Sequence, residues 1–349
     1  MSVAETEGVQ AGAAGAVAAG RTTEAERRAE IARITYAYLR WLMVGLPVLL
    51  LIVTGGTALL QQELETSISA YYGGPVRDVF VGTLLAVAVC LVAYQGVGLL
   101  EDYTLNGAGF YAVFVALVPT GFAELMDDLR SRPTPDGLTA ADHVWSLRVA
   151  LSTVVLMCVF LFWREFRSGN LKQLVATGGS RMSVLLTRAF VVLTLLLLAG
   201  FLALAVQQLW FVPADEVTME GLRLGPVQLT IHDLAAIFLI CSLAVAVLTN
   251  TWPFYRLEDL QESARRAYLV IFALMVLGPL LMWGLSALVA PGHLVILLEW
   301  WEIGLFAFFW LLETRRIARV RARSAKQLPP TGPLHEPQRE LVPAEEGLP

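Results

Sequence analysis

Eight apolar stretches, each near the roughly 20 residues a helix needs to cross the hydrocarbon core of a bilayer, set the limits on how this chain can fold. They lie at roughly 41–60, 79–100, 106–122, 143–163, 189–211, 231–251, 267–289 and 293–312. Threading them from a cytoplasmic N-terminus places 20 of the 25 Lys and Arg on the cytoplasmic side. Only Arg77, Arg130, Arg132 and Arg223 then fall outside, and Arg148 lies within a span. By the positive-inside rule both termini are expected in the cytoplasm.

The fold expected is an all-α, polytopic transmembrane bundle. Runs such as 189–206 are continuously apolar, whereas barrel strands alternate in polarity. Residues are 56% hydrophobic and 16% charged, with mean hydropathy +0.63, which excludes an ordinary soluble domain. Arg outnumbers Lys 23 to 2, the bias of a GC-rich bacterial genome. The expected location is therefore a bacterial cytoplasmic membrane. Cys90, Cys158 and Cys241 all fall inside spans and read as small core residues. Residues 1–22 lack the apolar core of a signal peptide, so the first span is expected to direct insertion.

Five regions follow. Residues 1–22 read as an Ala/Gly-rich unfolded tail, and 23–40 as a charged cytoplasmic helix opened by a Thr23–Glu26 capping box. Residues 41–312 form the eight-helix domain, 313–326 a basic juxtamembrane helix and 327–349 a Pro-rich, disordered tail. The 124–142 and 213–228 connections read as exposed loops, and 164–188 as a short amphipathic helix at the headgroups.

No nucleotide-binding, serine-hydrolase or HExxH motif is present, so interest falls on polar residues inside the spans. Intramembrane ionisable groups are costly, and function is the default reading. Glu299 and Glu302 lie about 9 and 13 Å along the last span from His293, three residues apart on one face. Arg148 lies about 8 Å along the fourth span from His143. The matching depth predicts an Arg148–Glu299 ion pair between neighbouring fourth and eighth spans, with Glu302 unpaired. Arg148, Glu299 and Glu302 are the candidate binding residues. His143, His232 and His293 each open an even-numbered span from outside, and their convergence would supply three zinc ligands. The competing reading has Thr139 with Asp142, and Thr230 with Asp233, as helix caps, and Trp300, Trp301, Phe306, Phe308, Phe309 and Trp310 as packing.

A resemblance adds to this. Ser67-Ile-Ser-Ala-Tyr71-Tyr, then Arg77-Asp78-Val-Phe-Val-Gly82, Tyr94, Gly96, Asp102 and the Val115–Thr120 run resemble a family of bacterial polytopic membrane proteins. His143 and Glu299–Trp310 fit two further positions of that family. The resemblance implies an integral membrane protein and marks Ser67, Ser69, Tyr71, Arg77 and Asp78 as a motif loop; it assigns no activity. More distantly, the chain resembles the alkaline ceramidase and adiponectin-receptor type of membrane hydrolase, but it lacks their HxxxH pair. Ser67 or Ser69 with Asp78 would be the nearest hydrolytic positions.

The reading favoured is a non-enzymatic membrane protein without a cofactor, which recognises or transports a lipid or small molecule through an outward-facing polar cavity. The second, fourth, sixth and eighth spans are expected to line that cavity. The expected partners are membrane lipid and that ligand, not nucleic acid. An intramembrane zinc hydrolase and a structural or assembly protein are the alternatives.

Overall fold

The computed structural model of the protein describes residues 3–71, 75–96, 98–131, 137, 139–176, 181–225, 227–251 and 262–327. It is built almost wholly of helix: α1 (Val3–Gln61), α2 (Pro75–Ala93), α3 (Leu99–Leu117), α4 (Phe122–Ser131), α5 (Ala140–Ser168), α6 (Asn170–Ala176), α7 (Arg181–Val206), α8 (Ile231–Thr249), α9 (Glu262–Val289) and α10 (Leu294–Gln327). Eight helical segments are long and apolar enough to cross a membrane, one at each expected span. That pattern marks a multi-pass membrane protein.

Six of the helices close a ring, in which α1 packs on α2, α2 on α3, α3 on α8, α8 on α9, α9 on α10, and α10 back on α1. The remaining long helices, α5 and α7, lie outside it. Of the apolar window through α3, 56% is buried, against 17% in those of α5 and α7. An aromatic cluster attaches α7 to the ring: Phe201 meets Phe114 of α3 edge to face at 4.9 Å and Phe238 of α8 at 6.1 Å. Tyr103 and Thr194 add a 2.7 Å hydroxyl bond between α3 and α7.

Several boundaries depart from the sequence reading. α1 begins at Val3 and runs without a break through the expected tail and charged helix. Ala, frequent there, is the strongest helix former, and it carries the helix past the expected cap at Thr23. The 124–142 loop is helical in its first half, because Phe122 and Met126 bury one side of α4. Residues 132–136 and 138 lie outside the described residues, as do Tyr72, 177–180 and the tail from 328 onward. The 213–228 loop contains an antiparallel hairpin, β1 (Glu220–Leu224) with β2 (Val227–Thr230). Both expected capping boxes form, Thr139 with Asp142 and Thr230 with Asp233.

The hairpin, α4 and the turns after α1 and α9 share one end of the ring, here termed the hairpin end. The α2–α3 turn and the C-terminal part of α10 share the other, the tail end.

Candidate functional site

At the hairpin end the chain after α1 folds back over the ring. Ser67 caps a single 3-10 turn, Ile68–Ala70, by accepting from the Ala70 N–H. Ile68 and Ser69 of the turn are buried, and so is Ser67 before it. Ser67 and Ser69 share a 3.1 Å hydroxyl bond, and Ser69 donates to Thr120 at 2.5 Å. Glu299 of α10 points at this turn and accepts from the Ile68 N–H at 2.6 Å. The same segment is fixed at two more points. The His293 Nε2 lies 2.9 Å from the Leu64 carbonyl, and the Ile296 N–H donates to Thr66 at 3.0 Å. Trp300 donates from its indole to Thr54 of α1 at 3.0 Å.

A cavity of about 420 Å³ opens beside this assembly, lined by Gly55, Ala58 and Leu59 of α1, by Gln62, Glu63 and Leu64, and by Trp300. The volume is in the range of small-molecule sites. It is apolar along α1 and polar at the top, where Gln62 and Glu63 stand. Leu59 and Leu60 at the end of α1 are 82% and 88% exposed, so the apolar side faces outward from the ring. The cavity lies between α1 and α10, so of the spans expected to line a cavity it involves only the eighth.

The predicted Arg148–Glu299 pair does not form. Arg148 is on α5, which packs on α3, α4, α6 and the π turn Gln207–Phe211 that ends α7. Its guanidinium is buried and donates to the carbonyls of Leu209 and, at 2.7 Å, Val212. Trp145 and Trp210 flank it at 4.6 and 5.6 Å. The terminal carbonyls of a helix lack intrahelical donors and carry the negative end of its dipole, so a guanidinium there is well placed without a carboxylate. Glu299 for its part meets a backbone N–H that no sequence spacing announces.

The histidines are also held separately. The His143 Nδ1 lies 3.2 Å from the Thr139 carbonyl and the buried His232 Nδ1 2.5 Å from that of Val118, while His293 reaches Leu64. Among the described residues no group of three or more His, Cys, Asp or Glu is placed to hold a metal ion. Of the motif loop, Ser67, Ser69 and Tyr71 are buried in the turn, whereas Arg77 and Asp78 are exposed in the first turn of α2. Ser67 bonds to Ser69, and Ser69 to Thr120 rather than to Asp78.

Glu302 stands one turn beyond Glu299, deeper in the ring, and is 6% exposed. Neither carboxyl oxygen has a hydrogen-bond partner.

The tail end carries a second polar layer that the spacing of residues did not reveal. Glu313 is 1% exposed and accepts from the Tyr268 hydroxyl at 2.6 Å and from Arg316 at 2.9 and 2.5 Å. Asn250, which ends α8, donates to Glu101 at 3.2 Å. Arg40 of α1 is buried against Tyr94. Gly96 makes room for this layer, since a Cβ there would stand 2.3 Å from Glu101 Oε2. One signal was available in the sequence. Tyr94, Gly96 and the Glu101–Asp102 pair sit where a helix-to-helix turn meets the membrane edge, although nothing in their spacing pairs them with Arg40, Asn250 or Glu313.

Comparison with known proteins leaves the class of the molecule at a multi-pass helical bundle. No family model, no curated protein and no solved structure matches the chain.

Proposed function

We propose that this is a lipid-recognition protein of a bacterial cytoplasmic membrane, with eight transmembrane spans, both termini in the cytoplasm and the hairpin end outside. The orientation rests on the distribution of Lys and Arg, which are concentrated in segments leading to the tail end. The reading of the site rests on one observation: a cavity of about 420 Å³ whose apolar wall is the outward side of α1 and whose polar top holds Gln62 and Glu63. An amphiphile already in the bilayer can enter laterally, laying an acyl chain along Gly55, Ala58 and Leu59. Its headgroup then meets Gln62 and Glu63. A carboxylate at that level favours an ammonium-bearing headgroup, as in phosphatidylethanolamine, over an anionic one. The serine and threonine hydroxyls and Glu299 fix the loop that forms the top of the cavity, which makes them positioning residues for this site.

Native mass spectrometry of the detergent-solubilised protein after incubation with phosphatidylethanolamine, and separately with phosphatidylglycerol, tests this. A Cβ on Gly55 meets no atom within 4 Å, so Gly55→Leu fills the cavity without a clash at the backbone. The wild type should retain phosphatidylethanolamine preferentially, and Gly55→Leu should lose it. Equal retention by the two proteins would remove the cavity as the binding site.

A further inference from the structure

The clearest unexplained group in the molecule is Glu302. Both its oxygens are buried without a hydrogen-bond partner, at a depth where α8, α9 and α10 meet. The space is fitted to a carboxyl group. A Cβ at Gly278 of α9 would stand 2.8 Å from Glu302 Oε1 and 2.8 Å from the indole nitrogen of Trp301, so only glycine lets α9 pass this close. Trp301 itself is engaged elsewhere, donating to the Leu274 carbonyl at 3.1 Å. The next residue of α9 is Pro279, which has no N–H and so leaves the Met275 carbonyl without its helical donor. A leucine would fill this place in an apolar ring without penalty, but a carboxyl stands there.

Among the described residues no charge compensates it. Residues 41–61 of α1 and 269–289 of α9 contain no titratable side chain, and between Asp233 and Thr249 the only one on α8 is Cys241. Cys241 lies within electrostatic range of Glu302 and brings no positive charge. On α10 itself the nearest acid, Glu299, is taken by the Ile68 N–H. A buried carboxylate with neither donor nor counter-ion is far less stable than the neutral acid.

We propose that Glu302 is a reversible proton-binding site inside the ring, occupied in this arrangement and emptied when α9 moves at Gly278–Pro279, where its hydrogen-bond ladder lacks one donor. The site would couple proton uptake to a change in the ring, and it goes beyond the lipid reading, standing or falling independently of the cavity at Gly55.

The test uses the purified full-length protein at neutral pH. Infrared difference spectra between wild type and Glu302→Gln should show a protonated carboxyl C=O band in the wild type alone. The band should shift in D₂O, because a proton that is taken up and released exchanges. Dicyclohexylcarbodiimide supplies a second readout. The acid proton passes to one carbodiimide nitrogen as the carboxyl oxygen bonds to the central carbon, and an O-to-N acyl shift then gives a stable N-acylurea with nothing leaving. Peptide mapping should place that adduct on Glu302 in the wild type and in Glu299→Gln, and find it absent from Glu302→Gln. The proposal is overturned if the band is missing, if it persists in Glu302→Gln, if it fails to shift in D₂O, or if no adduct forms on Glu302.

Discussion

The two ends of the six-helix ring bury polar groups in different ways. At the tail end side chains meet side chains: Glu313 takes two hydrogen bonds from Arg316 one turn along α10 and one from Tyr268 of α9, and Glu101 of α3 takes one from Asn250 at the end of α8. At the hairpin end the charges meet backbone. Glu299 is satisfied by one N–H, Arg148 by two carbonyls, and each histidine by a carbonyl. Side-chain pairing between helices locks the helices themselves. Bonds from a helix to loop backbone instead fix the loop, and leave the helices freer to separate. The tail end therefore serves as the clamp of the ring, and the hairpin end, on the function proposed above, as the part that meets the ligand.

The largest effect is expected from breaking the clamp. Glu313→Ala leaves the Arg316 guanidinium and the Tyr268 hydroxyl without their acceptor, and losing one partner of a buried pair costs about 3–5 kcal/mol. Thermal unfolding in detergent should register this as the most destabilising single change in the polar layers. Glu299→Ala should cost less, about 1.5–3 kcal/mol, the range for one hydrogen bond to a charged group. Equal losses from the two variants would erase the distinction between the ends.

A double-mutant cycle sharpens the same contrast. Because Arg148 and Glu299 have separate partners, the effects of Arg148→Met and Glu299→Leu should add to within about 0.3–0.5 kcal/mol. A larger coupling, with the double variant recovering stability, would restore the ion pair between them. Smallest is Ser69→Ala, which removes the neutral hydroxyl bonds to Thr120 and Ser67 and should lower stability by about 0.5–1.5 kcal/mol.

What could be read from the sequence divides along the same line. The eight apolar segments were legible because hydropathy acts locally and along one helix at a time. The caps at Thr139 and Thr230 were legible because their partners are three residues away. The anomaly of Glu302 was visible as an acid in an apolar run. The partners of Glu299 and Arg148 were not, because depth along a helix says nothing about which helix is adjacent. Here α5 lies outside the ring, and each of the two residues binds a backbone group. The clamp was hidden for a related reason: Arg40, Glu101, Asn250, Tyr268 and Glu313 come from five helices, and each alone resembles an ordinary membrane-edge residue.

The account depends most on the hairpin end being the outward, ligand-facing end. Single cysteines at Glu63 on the cavity rim and at Gln95 in the α2–α3 turn, both exposed, read this directly when intact cells are treated with a membrane-impermeant maleimide. Glu63→Cys should be labelled on intact cells, and Gln95→Cys only after permeabilisation. The reverse pattern would turn the protein over in the membrane, put the cavity on the cytoplasmic side and contradict the account.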